Sequence, residues 1–126
     1  MNEERVPVVL HLRAGKTERV MISPRVDNEN QVVTITREDK SVEEIAFSAL
    51  KAVFFLRDPN DTNPPHEAGE GSTLAVEFRD GEVIRGRSQE YNPERNGFFL
   101  YPLDRSKSEK IFIVNSAIVS IEIEKF

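Results

Sequence analysis

The chain has no cysteine among its 126 residues, which excludes disulfide bonds and thiolate ligands for a metal. It also lacks a long apolar run: Val53 to Leu56 and Ile111 to Val114 are far shorter than the ~20 residues that cross a bilayer. The first residues, MNEERV, have neither the basic nor the apolar region of a signal peptide. These absences predict a cytoplasmic protein that has no membrane contact and is stabilised by packing alone.

Residues with catalytic chemistry are also scarce. The two histidines are His11, at a polar phase of the first strand pattern where a surface position is expected, and His66, in a polar segment. No serine or threonine lies in a nucleophile-elbow pattern, and no glycine-rich phosphate loop precedes a helix pattern. Glu122 and Glu124 alternate with apolar residues, as on the solvated face of a strand. We therefore predict a protein that is not an enzyme and that binds neither a metal nor a cofactor.

The net charge of −5 comes mainly from one acidic segment. Residues 1–57 contain nine basic and nine acidic side chains, residues 58–72 contain four acidic ones, and residues 73–126 contain eight basic and nine acidic ones. The acidic segment lies within RDPNDTNPPHEAGEGS, whose Pro, Gly, Asn and Asp residues cannot bury an apolar face. The sequence thus predicts a first unit over 1–57, a mobile Pro/Gly-rich connector over 58–72 and a second unit over 73–126.

The two units repeat one pattern. VVLHLRAGKTER from Val8 aligns without gaps with LAVEFRDGEVIR from Leu74, and the same alignment, continued, places QVV of the first unit on GFF of the second. After a short insertion in the second unit, SALKAVFF from Ser48 aligns with SAIVSIEI from Ser116. An internal duplication explains the shared apolar phase, and chance similarity between two alternating patterns is the alternative.

Each unit is predicted to contain five short strands. Alternation in VVLHL and LAVEF leads into turns at Ala14-Gly15 and Asp80-Gly81, where glycine supplies the positive φ of a tight hairpin. Short strands at this spacing favour a small barrel of about five strands. A barrel of this size is marginally stable alone, so we predict an all-β fold of two tandem small five-stranded barrels packed together.

The segment over residues 41–53 leaves two interpretations open. SVEEIAFSALKAVFF has Ser41 and Glu44 at capping-box spacing and contains good helix formers. The corresponding SEKIFIVNSAIVSIEI is strand-like, and tertiary context overrides local propensity. We predict strands here, with a helix as the alternative.

Aromatic and basic residues interleave in one stretch of the second unit. With two neighbouring asparagines they give the candidate ligand- or partner-binding residues Arg85, Arg87, Tyr91, Asn92, Arg95, Asn96 and Tyr101. Rings beside arginine suit the stacked bases of single-stranded RNA. The pattern favours a different interpretation, a core with a solvated face, in which one of Phe98 and Phe99 points inward.

The order of turns and strands resembles that of Sm-like and SH3-like small barrels. The Asp80-Gly81 turn, Gly86 in the second strand, and Tyr91-Asn92 followed by Asn96 carry this resemblance. The Arg-Gly pair that completes the uridine pocket in Sm-like proteins is replaced here by Asn115-Ser116. The resemblance implies RNA or single-stranded nucleic-acid binding.

Two further resemblances bear on function. LKAVFFLRD, VEFRDGEVIRG, GFFLYPLD and IFIVNSAI, from Leu50 to Ile121, are similar to a bacterial domain of unknown function that accompanies signalling and motility modules. Asn92 and Gly97 have the spacing of a turn in PilZ domains, which bind cyclic di-GMP, but Glu94 replaces the serine of that turn.

The leading functional prediction is a binding or adaptor module that contacts another protein in bacterial regulation. Its exposed strand edges could accept a partner strand, including that of a second copy, which would give a homo-oligomer. Sm-like RNA or single-stranded nucleic-acid binding is the alternative, and cyclic di-GMP binding is a weaker third.

Overall fold

The computed structural model describes five stretches of the chain, residues 5–23, 31–56, 72–89, 91–103 and 108–124. Within them lie ten strands: β1 (Val6–Leu12), β2 (Thr17–Ile22), β3 (Val32–Thr36), β4 (Val42–Ala46), β5 (Leu50–Leu56), β6 (Ser72–Phe78), β7 (Val83–Ser88), β8 (Gly97–Pro102), β9 (Ser108–Val114) and β10 (Ile118–Glu124). Two single-turn 3₁₀ helices, Phe47–Ala49 and Asn115–Ala117, connect β4 to β5 and β9 to β10. The all-β prediction is confirmed.

The ambiguous segment over residues 41–53 forms strands, as predicted. β4 ends at Ala46, one 3₁₀ turn follows, and β5 begins at Leu50. β4 pairs with β3 along its whole length, and β5 pairs with β1 on one side and β9 on the other. These ladders satisfy the backbone hydrogen bonds that a helix would otherwise form, so the local helix propensity is overridden.

All ten strands belong to one antiparallel sheet, in the order β10-β6-β7-β8-β9-β5-β1-β2-β3-β4. The sheet is not closed, because β4 and β10 lie at its two ends. The structure therefore has one continuous sheet where the sequence predicts two barrels. The physical reason is that β5, the last strand of the first half, pairs with β9 of the second half, with Val53 opposite Phe112.

The two halves nevertheless have the same strand order and the same pairing. β5 returns beside β1, and β10 returns beside β6. Val8 pairs with Phe55 and Leu74 pairs with Ile123, so Val8 is equivalent to Leu74 and Phe55 to Ile123, as in the sequence alignment with its insertion. Both ladders are interrupted by a bulge, which leaves Lys51 and Val119 unpaired at equivalent places.

Two clusters of buried side chains form the core, and each draws on both halves. The first cluster is built on β1, β2, β3 and β5 but also contains Phe112 and Val114 of β9. The second is built on β6, β8 and β9 but also contains Ala52 of β5, with Phe54 packed against it. We call the junction formed by β5 and β9 the seam. Because both clusters cross it, the seam is part of the hydrophobic core.

The predicted hairpin turns are present after β1 and β6. Gly15 and Gly81 have φ values of 95° and 93°, a region that side chains with a Cβ rarely adopt. Each glycine N–H donates to the carbonyl of the last residue of the strand before it, Leu12 at 3.0 Å and Phe78 at 2.9 Å. Glycine therefore fixes both hairpins, as the sequence indicates.

The predicted connector over residues 58–72 lies outside the described residues, apart from Ser72, which begins β6. The division into three segments therefore stays a prediction. Among the described residues, no helix is long and apolar enough to cross a bilayer.

Candidate functional site

The seven candidate binding residues fall into two groups at opposite ends of β8. The group in the turn before β8 consists of Tyr91, Asn92, Arg95 and Asn96. The group on β7 and at the far end of β8 consists of Arg85, Arg87 and Tyr101. Since a strand rises ~3.3 Å per residue, Asn96 and Tyr101 lie ~16 Å apart. The structure thus does not bring the seven residues together as one stacking surface.

The β7 group lies on an exposed part of the sheet. Arg87 is paired with Tyr101 across β7 and β8. Arg85 Nε is 3.4 Å from a carboxylate oxygen of Glu124, and its side chain is 62% exposed. An exposed ion pair of this kind contributes little to stability, so these side chains form a solvated face.

The turn group is tied to the 3₁₀ helix after β9. Asn92 Oδ1 accepts a hydrogen bond from the Glu94 N–H at 2.9 Å, which shapes the turn. Asn115 Nδ2 donates to the carbonyl oxygens of Asn92 and Arg95 at 3.0 and 2.6 Å. Its Oδ1 is buried and has no partner within the described stretches. Asn115 therefore has a structural role here, because it ties the turn before β8 to the 3₁₀ helix after β9.

The aromatic residues of this region belong mainly to the core. Phe98 is 1% exposed and lies in the second cluster, with the Tyr91 ring edge-on at 5.0 Å. Phe99 packs against the first cluster, and the Lys110 ammonium lies 4.7 Å from its ring centre. The interpretation of this stretch as core with a solvated face describes these rings better than an open stacking platform does.

A groove of about 400 Å³ runs across one end of the seam. The first half contributes Gln31 and the 3₁₀ residues Phe47 and Ser48, and the second half contributes residues 93–96 and 114–116. The groove is polar at its rim, where Arg95 and Glu94 bring opposite charges side by side. It could hold a small polar ligand or an extended chain, without a net charge that favours nucleic acid.

Two arginines at equivalent positions of the two halves converge on Ser116. Arg13 Nε and Nη2 donate to the carbonyl oxygens of Leu50 and Phe47 at 2.9 and 3.1 Å, and Nη2 also contacts Ser116 Oγ. Arg79 Nε donates to the Ser116 carbonyl at 3.1 Å. Burial lowers the pKa of Arg13, and the nearby charge of Arg79 lowers it further. These side chains hold the first hairpin turn against the second half.

Lys51, which the sequence did not single out, is a buried cation at the seam. Lys51 is 8% exposed. Its Nζ lies 2.7 Å from Asp80 Oδ2 and also contacts Glu82 Oε1. The same ammonium group lies 4.7 Å from the centre of the Phe78 ring. Burial lowers the pKa of Lys51, but the bonds to both carboxylates outweigh burial and raise it. The signal in the sequence is that Lys51 is the one charged residue within the apolar run Leu50–Leu56.

The described residues include one histidine, His11, which packs against an aromatic ring. His11, expected on the surface, is half-buried, and its ring centre lies 4.2 Å from that of Phe54. Burial lowers the pKa of His11 and so favours the uncharged ring. No group of three or more His, Cys, Asp or Glu side chains within the described ranges is arranged to hold a metal ion.

The two end strands of the sheet expose apolar side chains. Among the described residues, six large hydrophobic side chains are exposed, and three of them lie on β4 and β10. They are Val42 at 60%, Val119 at 57% and Ile123 at 55% exposure. Glu43 and Glu44 follow Val42 in β4, and Glu122 and Glu124 flank Ile123 in β10, so each end strand is a mixed apolar and acidic edge.

Comparison with protein families places the whole of this architecture in one unit. A model of a family of unknown function, DUF6982, matches residues 4–125. The chain belongs to the DUF6982 family. No curated protein matches it, and no solved structure does. The match confirms the resemblance to an uncharacterised domain, which the sequence showed from Leu50 to Ile121, and extends it to residues 4–125. It does not test the resemblance to Sm-like or SH3-like barrels.

The DUF6982 match covers both halves and both end strands. The seam, the groove and the edges are therefore features of a single family unit. The two end strands of this DUF6982 chain combine the backbone groups of a sheet edge with exposed apolar side chains and carboxylates. The edge of a sheet can pair with an added strand.

Proposed function

We propose that this DUF6982 chain is a non-enzymatic binding module that takes up an extended segment of a partner protein at an open edge of its sheet. The observation that carries the proposal is the exposure of Val42, Val119 and Ile123 on β4 and β10. An edge strand offers unpaired backbone groups, and apolar side chains beside them add burial when a partner strand docks.

The repeated pairing supports a finer description of the architecture. Each half has the order β4-β3-β2-β1-β5 or its equivalent, with a 3₁₀ turn before the last strand. We propose that the halves are two units of Sm-like or SH3-like topology, derived from one ancestral unit and fused through β5 and β9. A cytoplasmic place in bacterial regulation, implied by the sequence, is part of this proposal.

A second candidate function is the binding of single-stranded RNA in the groove at the seam. The observation in its favour is that Arg95, Asn96 and Asn115 lie together there. Against it, both hydrogen atoms of the Asn115 amide are already bonded to backbone carbonyls, and Glu94 shares the rim. Protein binding is therefore the better supported of the two.

The test compares variants that differ in where they place a charge. Val119→Lys and Ile123→Lys together put charges on the β10 edge, Val42→Lys puts one on β4, and Val83→Lys is the control, because Val83 is similarly exposed at 53% but lies on an interior strand. Each protein is cross-linked in its host cells, and the partners are quantified by mass spectrometry. We expect the edge variants to lose a protein that the Val83→Lys variant retains.

Retention of every partner by both edge variants would overturn the proposal. Gel retardation with mixed RNA oligonucleotides tests the second candidate in parallel. Salt-dependent RNA binding that is lost when Arg95 is changed to Glu would favour the groove over the edges.

A further inference from the structure

The seam shows how a strand can dock on a last strand in this fold. β9 lies beside β5 with Val53 opposite Phe112 and Phe54 opposite Ile111. Phe112 and Val114 of β9 then reach into the cluster beneath β5, while Phe54 and Ala52 of β5 reach into the cluster beneath β9. Each strand is covered on both faces as a result.

The two open edges are the equivalents of these strands. β10 is the equivalent of β5, since Phe55 corresponds to Ile123. β4 is the equivalent of β9, since β4 pairs with β3 as β9 pairs with β8, and Ala46 corresponds to Val114. At the positions that cross the seam, the edges carry different chemistry. Glu122 stands in β10 at the place of Phe54, and Glu44 stands in β4 at the place of Phe112.

A second copy of the chain does not fit the edges in this geometry. Docking β4 of one chain on β10 of another would put Glu44 in the place that Phe112 takes at the seam, where Phe112 is 2% exposed and lies among apolar side chains. Burying a carboxylate there without a paired cation would be costly. It would also set Glu43 opposite Glu122, and like charges directly opposite each other destabilise a strand pair. A homo-oligomer that pairs β4 of one chain with β10 of another in this register is therefore disfavoured at neutral pH.

The β10 edge suits a strand of complementary charge. Ile118 and Ile121 pack only partly against the second cluster, and Val119 and Ile123 are more than half exposed. In the position of β9, a docked strand would cover the isoleucines with two apolar residues, as Phe112 and Val114 do at the seam. The residue in the place of Ile111 would lie opposite Glu122.

We propose that the β10 edge binds an extended segment of a partner protein in the register of β9 on β5, with Lys or Arg opposite Glu122 and apolar residues one and three positions after it. The β5–β9 pairing at the seam predicts the register of the docked strand. The negative charge of Glu122 favours a basic residue opposite it. This inference rests on the proposed function, since it names the chemistry of the partner segment. β10 is favoured over β4 because it is seven residues long rather than five and carries two of the exposed apolar side chains.

Peptides with the sequence of residues 108–115 test the proposal on the full chain. One carries Ile111→Lys, a second carries Ile111→Glu, and a third is a scrambled form of the first. We expect the lysine peptide to bind about tenfold more tightly than the glutamate peptide, as measured by fluorescence polarisation, because the cross-strand charge pair changes sign. Amide exchange should slow in β10 and not in β4.

A charge exchange in the protein provides the matched experiment. Glu122→Lys should reverse the preference, so that the glutamate peptide binds better, whereas Glu94→Lys makes the same charge change in an exposed turn and should leave the preference unaltered. Equal binding of the lysine and glutamate peptides, or slowed exchange elsewhere than β10, would overturn the inference. Self-association of the wild-type chain at pH 7 that is abolished by Ile123→Lys would also overturn it.

The two proposals fail separately. If neither peptide binds but cross-linked partners still depend on Val119 and Ile123, the partner chemistry is wrong and the binding function stands. If partners are also indifferent to the edge variants, the proposed function itself is wrong.

Discussion

Individual polar side chains in this protein hold segments together across the seam. Arg13 bonds to backbone carbonyls of its own half and to Ser116 of the other. Lys51 reaches from β5 to the turn that carries Asp80 and Glu82. Arg13 and Lys51, which lie outside the predicted binding stretch, are thus bonded within the fold.

Asn115 gives a prediction about the turn before β8. Asn115→Ala removes two donors and leaves the carbonyls of Asn92 and Arg95 without them, so we expect a loss of ~1–3 kcal/mol in the free energy of unfolding. Urea denaturation measures it. Asn115→Asp should cost more, because its carboxylate faces the same carbonyl oxygens. Equal stability of the wild type and the alanine variant would show that the turn does not need this tie.

The Lys51–Asp80 pair predicts a dependence of stability on pH. The bond to Lys51 lowers the pKa of Asp80 from 3.8, and the carboxylates raise the pKa of Lys51 from 10.5. As the pH falls, the unfolded chain therefore protonates Asp80 at a higher pH than the folded protein does. As the pH rises, the unfolded chain loses the Lys51 proton at a lower pH than the folded protein does. The pair therefore stabilises the fold fully between the ordinary pKa values of 3.8 for Asp80 and 10.5 for Lys51. This stabilisation is lost as the pH moves below or above that range.

We expect Asp80→Asn to reduce the difference in unfolding free energy between pH 7 and pH 3, measured by urea denaturation at each pH. Glu94→Gln, in an exposed turn, is the control and should leave that difference as it is in the wild type. If the two variants behave alike, the pair makes no contribution that depends on pH.

For the strands, the alternation of apolar residues predicts which segments are extended, but the register needs the pairing partner. The gapless alignment of the two halves places Val33 on Phe99. In the structure, Met21 lies opposite Thr36 and its equivalent Arg87 lies opposite Tyr101, so Thr36 corresponds to Tyr101. Counting back three residues makes Val33 equivalent to Phe98. The alignment is therefore out of register in this strand. A slip of one residue exchanges the two faces, and only burial of Val33 and Phe98 reveals it.

The close approach of β7 and β8 predicts the effect of a single methyl group. A Cβ on Gly86 would lie 2.8 Å from Leu100 Cγ and would collide with the Tyr101 carbonyl oxygen, which belongs to the backbone and cannot move aside. We expect Gly86→Ala to lower the free energy of unfolding by ~1–3 kcal/mol, measured with urea. Arg85→Ala on the same strand, where the side chain is exposed, should change it by less than ~0.5 kcal/mol. Similar values for the two variants would contradict this packing.

In the molecule as a whole, the seam joins the two halves through strand pairing and shared core clusters. Val114 is 1% exposed and lies in the cluster of the first half, although its strand belongs to the second. We expect Val114→Ala to cost ~2 kcal/mol and to lower the amide-exchange protection of β2 and β7 by the same amount, with one thermal transition retained. Loss of protection in β2 alone would mean that the halves unfold independently.

Local patterns in the sequence were enough to predict the strands and the tight turns, because alternation and the positive φ of Gly15 and Gly81 act over a few residues. They also indicated the equivalence of the halves, since the same correspondence recurs in the pairing. The pairing of β5 with β9, the open sheet and the separation of the candidate residues into two groups emerged from long-range packing alone. Every strand offers the same backbone donors and acceptors, so the choice among distant partners depends on which side chains pack together across them, and that choice left β4 and β10 as the open edges.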